Sequence, residues 1–215
     1  MRNKKGVLLI YLGLLLIVGA LFLTAYNFYG DYRAKKDAKQ AADQLKEFLP
    51  DEDQEPVGEE EETEIPDYVL NPDMEMPVRT IDGQNYIGTL SIPSLHLELP
   101  IISEWNYQRL RIAPCRYEGS VYKDDMIIAG HNYRSHFSML KNLSAGDQVI
   151  FTDMSGNQFF YQVTEMEVLN PEDVDEMETG DWDLTLFTCT YGGRTRVTLR
   201  CKRIVIESTL GYNKK

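Results

Sequence analysis

The chain has 215 residues, 43% of them hydrophobic, and a formal charge of −12 at neutral pH. That length holds one domain plus extensions, and that apolar content can build a core. Ten Asp or Glu and no Lys or Arg fall within residues 51–67, so the rest of the chain sums to about −2; with no basic stripe carrying interleaved aromatics, a nucleic-acid partner is excluded.

Gly6 to Tyr26 is an uncharged run of 21 residues. A helix of that length crosses the roughly 30 Å hydrocarbon layer of a bilayer. The run exceeds the apolar core of a signal peptide, and it is read as a retained signal anchor in the plasma membrane. Arg2, Lys4 and Lys5 precede it; Arg33, Lys35 and Lys36 follow, beside Asp31 and Asp37. Lys/Arg counting is close to a tie, and the free amino group tips it toward a cytoplasmic N-terminus with the remainder outside the cell. Residues 1–5 are then a cytoplasmic stub and 6–26 the transmembrane segment.

Residues 27–50 read as a helical stalk. Ala34, Ala38, Ala41, Ala42, Leu45, Phe48 and Leu49 recur near a 3.6-residue period, and Pro50 ends the helix. Residues 51–82 are an acidic linker and lead-in, too poor in apolar residues at the start to fold alone. Within it, Met76-Pro77-Val78-Arg79-Thr80 is an ordered lead-in to the first strand or a lid.

From Tyr86 the pattern becomes one of short strands. Tyr86–Ile92 and Leu95–Ile101 are divided by Pro93-Ser94, with His96 mid-strand on the surface. Met126–Ala129 runs into Gly130-His131, and Ser135–Leu143 reads as a short helix with Phe137, Leu140 and Leu143 on one face. Gln148–Thr152 and Gln158–Val168 form one hairpin; Leu184–Thr190 and Thr195–Ile206 form another around Tyr191-Gly192-Gly193-Arg194. Many strands with one short helix indicate an all-β sandwich or barrel.

Three cysteines leave at least one free thiol in an exported domain. Cys201 shares its strand face with Val197 and Leu199 and belongs to the core. Arg196, Thr198 and Arg200 share the other, polar face, and Arg200 and Arg203 read as solvent-facing. Cys189 ends a strand just before a Gly-Gly turn, where a side chain meets substrate while its backbone stays rigid. A thiol, an imidazole and a guanidinium suffice for thiol acyl transfer: the thiol attacks, the imidazole handles protons, and the cation steadies oxyanion charge.

Thr185-Leu186-Phe187-Thr188-Cys189, the upstream Ala129-Gly130-His131 and the downstream basic strand starting at Arg196 resemble the sortases, cysteine transpeptidases of Gram-positive cell surfaces. Tyr86-Ile87-Gly88 through Ile92-Pro93 resembles their first strand and turn. The resemblance spans about residues 83–208, leaving 209–215 as a tail. It implies a closed eight-stranded β-barrel with short helices behind an N-terminal transmembrane helix. It implies Cys189 as nucleophile, His131 as proton carrier and Arg196 as the cation. Thr188 would support the site and Phe187 would line the groove; Arg194, in the turn, is a solvated charge or a substrate contact; His136 and His96 are not carried over. The implied partners are surface proteins bearing a C-terminal sorting signal of the LPxTG type and a cell-wall precursor amine. No cofactor and no metal are expected: Glu172, Asp173, Asp175 and Glu176 form one acidic loop, but the loop of Glu118 and Asp124 is too short to complete a site.

The chain departs from parts of that family. The segment from Val168 to Leu184 has no room for the long helix of class B enzymes, and the second hydrophobic segment of many class C enzymes is absent. Two alternatives stand beside transpeptidation: a membrane-tethered binding or scaffold domain with little turnover, and simple hydrolysis of the acyl-enzyme.

Overall fold

The computed structural model describes residues 4–48 and 65–205. Pro50, most of the acidic linker, residues 206–208 and the tail lie outside the described residues.

One helix, α1 (Lys4–Lys46), carries both the apolar run and the alanine-rich stretch without a break. Its first half is long and apolar enough to cross a membrane. Its second half is not a free stalk. Ala34, Ala38, Ala41, Ala42 and Leu45 are buried, and the helix lies against the first and third strands of the sheet. Small side chains at a 3.6-residue period let a helix approach a sheet closely, which is why this face is mostly alanine. Lys46 pins its end to Glu98 at 2.8 Å.

After the short helix α2 (Asp67–Leu70) come β1 (Arg79–Ile81), β2 (Gln84–Ile92), β3 (Leu97–Ile102), β4 (Cys115–Glu118), β5 (Met126–Gly130), β6 (Gln148–Asp153), β7 (Gln158–Leu169), α3 (Val174–Glu178), β8 (Leu184–Cys189) and β9 (Arg196–Arg203). The sheet runs β2-β3-β4-β5-β8-β9-β7-β6 and closes by pairing β6 with β2. Eight strands therefore form a closed barrel, as expected from the sequence. The pairs β3–β4 and β5–β8 are parallel and the rest antiparallel. The ninth strand, β1, is a hairpin appendage of β2. Asp82 and Gly83, with φ of 49° and 76°, make the two-residue turn between them. Asp-Gly between extended residues is a strong hairpin signal because both positions need positive φ, and the sequence reading passed over it.

The barrel interior is filled by Leu90, Ile128, Phe151, Phe159, Leu186 and Leu199, all buried. A second apolar cluster forms where α1 covers the outside of the sheet: Ala41 and Leu45 meet Ile81, Tyr86, Cys115 and Met154.

Several elements differ from their sequence reading. Pro93–Leu95 is a 3-10 turn, and His96 ends it in the left-handed conformation (φ 49°) rather than sitting mid-strand. Residues 135–143 form successive turns and a 3-10 turn at Leu140–Asn142, not an α-helix. The reason is local: the Phe137 N–H donates to the His131 carbonyl at 3.2 Å, so the chain winds around His131 instead of starting a helical ladder. The predicted buried face of Phe137, Leu140 and Leu143 holds. Met76 is buried in the barrel core and Thr80 lies in β1, so this segment forms the lead-in. It borders the β4–β5 turn, the opposite end of β5 from His131.

Candidate active site

On β8 the side chains alternate. Leu184 and Leu186 point into the barrel core, so Thr185, Phe187 and Cys189 face outward. The parallel neighbour β5 is aligned with Gly130 opposite Thr188; the next residue, His131, stands beside Cys189. The antiparallel neighbour β9 places Arg196 directly opposite Cys189. Adjacent strands lie about 4.8 Å apart. The backbone register thus gathers residues 131, 189 and 196 at one end of the barrel, from three adjacent strands.

The backbone around this trio is fixed by short-range bonds. The loop from Cys189 to Arg196 is closed by Thr190 N–H to the Thr195 carbonyl at 2.9 Å and Gly193 N–H to the Thr190 carbonyl at 2.8 Å. Thr195 N–H also donates to the Thr190 hydroxyl at 3.2 Å. Gly130 has a packing reason: a Cβ there would stand 2.2 Å from the Phe137 ring. The loop after His131 folds back over that glycine, so glycine is needed immediately before the histidine.

Cys189 is half-buried, whereas Cys115 and Cys201 are fully buried. Burial pushes both buried thiols up to about 12, so neither supplies thiolate near neutrality. Cys115 donates weakly to the Ala113 carbonyl at 3.4 Å. Cys201 lies in the core, as its strand parity predicts.

The His131 ring is stacked on Tyr133, centroids 3.7 Å apart at 19°. Its Nδ1 is buried without a hydrogen-bond partner among the described residues. Burial first, and then the Arg111 charge, hold its pKa below the ordinary histidine value, so at neutral pH the imidazole is uncharged and able to accept a proton. His136 is fully buried. The carbonyls of Ala34 and Ile112 approach its ring and favour the protonated form, yet neither nitrogen makes a hydrogen bond of good geometry.

Arg196 is half-buried, and its Nη1 donates to the Gly193 and Thr195 carbonyls at 3.1 and 3.2 Å. These are contacts to its own turn, leaving the guanidinium beside Cys189 without a carboxylate partner among the described residues. Arg194 is exposed in the turn. Thr188 faces inward, opposite to Cys189, and its buried hydroxyl has no partner among the described residues; it supports the register rather than touching the thiol. Phe187 faces outward two residues before Cys189, with its ring edge-on to Tyr117 at 5.5 Å. Tyr117 in turn packs on Trp105 at 5.4 Å. These aromatics make an apolar shelf leading to the thiol. The strand β4, which carries Tyr117, is absent from the sequence reading although Cys115-Arg116-Tyr117-Glu118 alternates apolar and polar, because four residues are the shortest run that can carry that pattern.

Arg200 corrects the sequence reading. It is 2% exposed, not solvent-facing. Its Nε donates to Glu167 at 2.6 Å, and Nη1 to the Met177 carbonyl at 2.9 Å and the Thr185 hydroxyl at 3.1 Å; Nη2 donates to the Glu176 carbonyl. The α3 segment folds over this part of the face and its carbonyls need donors. Arg203 is also half-buried: it pairs with Asp124 at 2.8 Å and lies over the Phe159 ring at 4.9 Å.

A cavity of about 350 Å³ lies at the other end of the barrel, lined by Asp73, Glu75, Arg116 and Lys123 among others. None of the catalytic candidates lines it, and Lys123 is already paired with Asp73 at 2.8 Å.

Comparisons with known proteins agree with this fold. A family profile described as the sortase domain matches residues 90–210. Sortase A of Bacillus anthracis is 29% identical over 196 residues, covering 87% of this chain and 89% of that protein. Among solved structures, sortase C1 from Streptococcus agalactiae is similar with a TM-score of 0.52 at 28% identity, covering 59% of this chain and 72% of that one. A Clostridium perfringens sortase D5 transpeptidase shares the fold, with a TM-score of 0.57 at 20% identity over 79% of this chain and 99% of its own.

Proposed function

Given that the chain belongs to the sortase family, whose members are cell-surface cysteine transpeptidases, we propose that it cleaves an LPxTG-like sorting signal and transfers the cleaved protein to a cell-wall amine. The single observation that supports this most is the register that pairs Cys189 with Arg196 and sets it next to the strand that ends one residue before His131.

In this reading the Cys189 sulfur attacks the carbonyl carbon of the signal's threonine while its proton passes to neutral His131. Arg196 turns from its own loop carbonyls toward the oxyanion, which offers the guanidinium a stronger, charged acceptor. The carbon–nitrogen bond then breaks, His131 returns the proton to the leaving amine, and a thioester remains on Cys189. An incoming amine attacks the thioester and releases the thiol. The Phe187–Tyr117–Trp105 shelf receives apolar side chains of the signal. The apolar half of α1 anchors the enzyme in the plasma membrane with the barrel outside, the side on which such substrates occur.

The test is incubation of the full chain with a library of sorting-signal peptides, with mass spectrometry of the intact protein. A peptide-sized adduct on the parent, absent from Cys189→Ala, is expected. The same adduct on Cys189→Ala would overturn the assignment.

A further inference from the structure

The helix that leaves the membrane is built into the histidine loop. Asp31, on α1, accepts from the Ser135 N–H at 3.2 Å and from the Ser135 hydroxyl at 3.0 Å through one carboxylate oxygen. The same hydroxyl also approaches the Asp31 carbonyl at 3.4 Å. One residue earlier, the tip of the Tyr133 ring reaches the helix: its hydroxyl lies 3.6 Å from where a side chain on Gly30 would begin. One turn later, Ala34 and His136 are both buried, and the Ala34 carbonyl approaches the His136 ring. Three successive points on one helix face thus hold residues 133, 135 and 136.

Tyr133 connects this clamp to the chemistry. It stacks on His131 and packs edge-on against His136, with centroids 5.4 Å apart at 64°. Among the described residues, His131 has no hydrogen bond at Nδ1. A catalytic imidazole is ordinarily oriented by a bond from its second nitrogen to a carboxylate or carbonyl. Here the stacked phenol ring is the contact that fixes the plane of the imidazole, and that ring is backed by α1.

We infer that the Gly30–Asp31 turn of α1 is a positioning element for His131, acting through Ser135 and the Tyr133 stack. The inference rests on reading His131 as the catalytic imidazole. Gly30 lies only four residues, about 6 Å along the axis, beyond Tyr26 at the end of the apolar run. The anchor therefore does more than tether: the orientation of the histidine depends on the docked helix. Misplacing a catalytic group by about 1 Å costs on the order of 100-fold.

The experiment uses the full chain in lipid nanodiscs, with Asp31→Ala, Asp31→Asn and His131→Ala compared with the parent. Single-turnover acylation by a sorting-signal peptide, the peptide KM, and the His131 titration by NMR of 13C-labelled histidine are measured. Arg111 is the charge that bears on His131, while His131 and Asp31 bear on His136 and Asp31 bears on Tyr133. Asn removes the Asp31 charge but keeps its acceptor oxygen, so the difference between Ala and Asn is positional. Asp31→Ala is expected to slow acylation by about 10- to 100-fold with KM unchanged, and to give a His131 midpoint above that of Asp31→Asn, because a freed ring is better solvated. Asp31→Asn is expected to keep most of the rate. Parental acylation by Asp31→Ala alongside an inactive His131→Ala overturns the inference and leaves the functional reading intact. Parental acylation by His131→Ala overturns both. A rate loss equal in Ala and Asn, with equal His131 midpoints, also overturns it. Should Asp31→Ala not fold, Ser135→Ala takes its place: a rate loss with a raised His131 midpoint supports the inference, and parental values for both overturn it.

Discussion

Arg196 and Arg200 lie four residues apart on the same face of the same strand, and the barrel treats them in opposite ways. Arg200 is sealed beneath α3 with Glu167, Thr185 and two backbone carbonyls around it. Arg196 stands where that cover ends, half-buried, and among the described residues it is held by carbonyls of its own turn. A cation with a full set of partners in a covered place is structural. A cation of the same type, beside a half-buried thiol and with donors to spare, can answer a charge that develops later. The difference lies in what covers each residue, because strand, face and side-chain chemistry are shared.

Three measurements sharpen or break this contrast. The largest effect is expected at the open end. Removing one oxyanion donor typically costs about 100- to 1000-fold in turnover, so Arg196→Ala is expected to lose at least that in single-turnover acylation while its circular dichroism stays parental. Arg196→Lys recovers only part, since an ammonium lacks the planar fork of donors. Arg194→Ala, changed in the exposed turn, costs much less. An inactive Arg194→Ala with a near-parental Arg196→Ala would shift the functional arginine by two residues.

At the covered end the loss is expected in stability. Arg200→Ala strands the Thr185 hydroxyl and two carbonyls of α3 and leaves Glu167, one-third exposed, without its cation. Breaking a buried pair in this way costs about 3 kcal/mol. The barrel's thermal midpoint in detergent should fall, while acylation by the folded fraction remains near parental. A catalytic loss with an unchanged midpoint would reverse the roles of the two arginines.

The same contrast recurs between the two neighbouring histidines and predicts a pH effect. His131 is half-buried and His136 fully buried under α1. Burial, then the nearby His131, lowers the His136 pKa from 6.5 to about 4. Between those values the unfolded chain binds a proton that the folded chain does not. Stability is therefore full above about pH 6.5 and falls as pH drops toward 4, by up to roughly 3 kcal/mol. Thermal midpoints of the parent should decline across that window, and those of His136→Phe should decline less. Equal slopes would show that His136 is not what acid attacks.

How much of this was legible in the sequence follows from the range of the interactions involved. The Thr185–Cys189 strand, the tight turn after it and the parity of Cys201 could be read because strand alternation and tight turns are local, whereas the choice of His131 and Arg196 rested on the family resemblance. The apolar length of 6–26 and the alanine period after it are local too, so both helical stretches were visible. Their continuity and docking were not. An alanine face at helical spacing looks the same on a free stalk as on a helix pressed to a sheet, and only the opposing surface of Ile81, Tyr86 and Met154 distinguishes them. Arg200 was misread for the same reason: its parity was correct, but parity names a face and cannot say that α3, more than twenty residues away in sequence, will cover it. The stack of Tyr133 on His131 and the bond from Ser135 to Asp31 are likewise invisible along the chain, since the latter joins residues 104 apart. The sequence by itself determined which residue types occur, which strand faces they share and which turns bring them back. Tertiary structure alone decided which face is covered and which is open, because burial depends on what packs across a gap, and a linear pattern does not encode its partner.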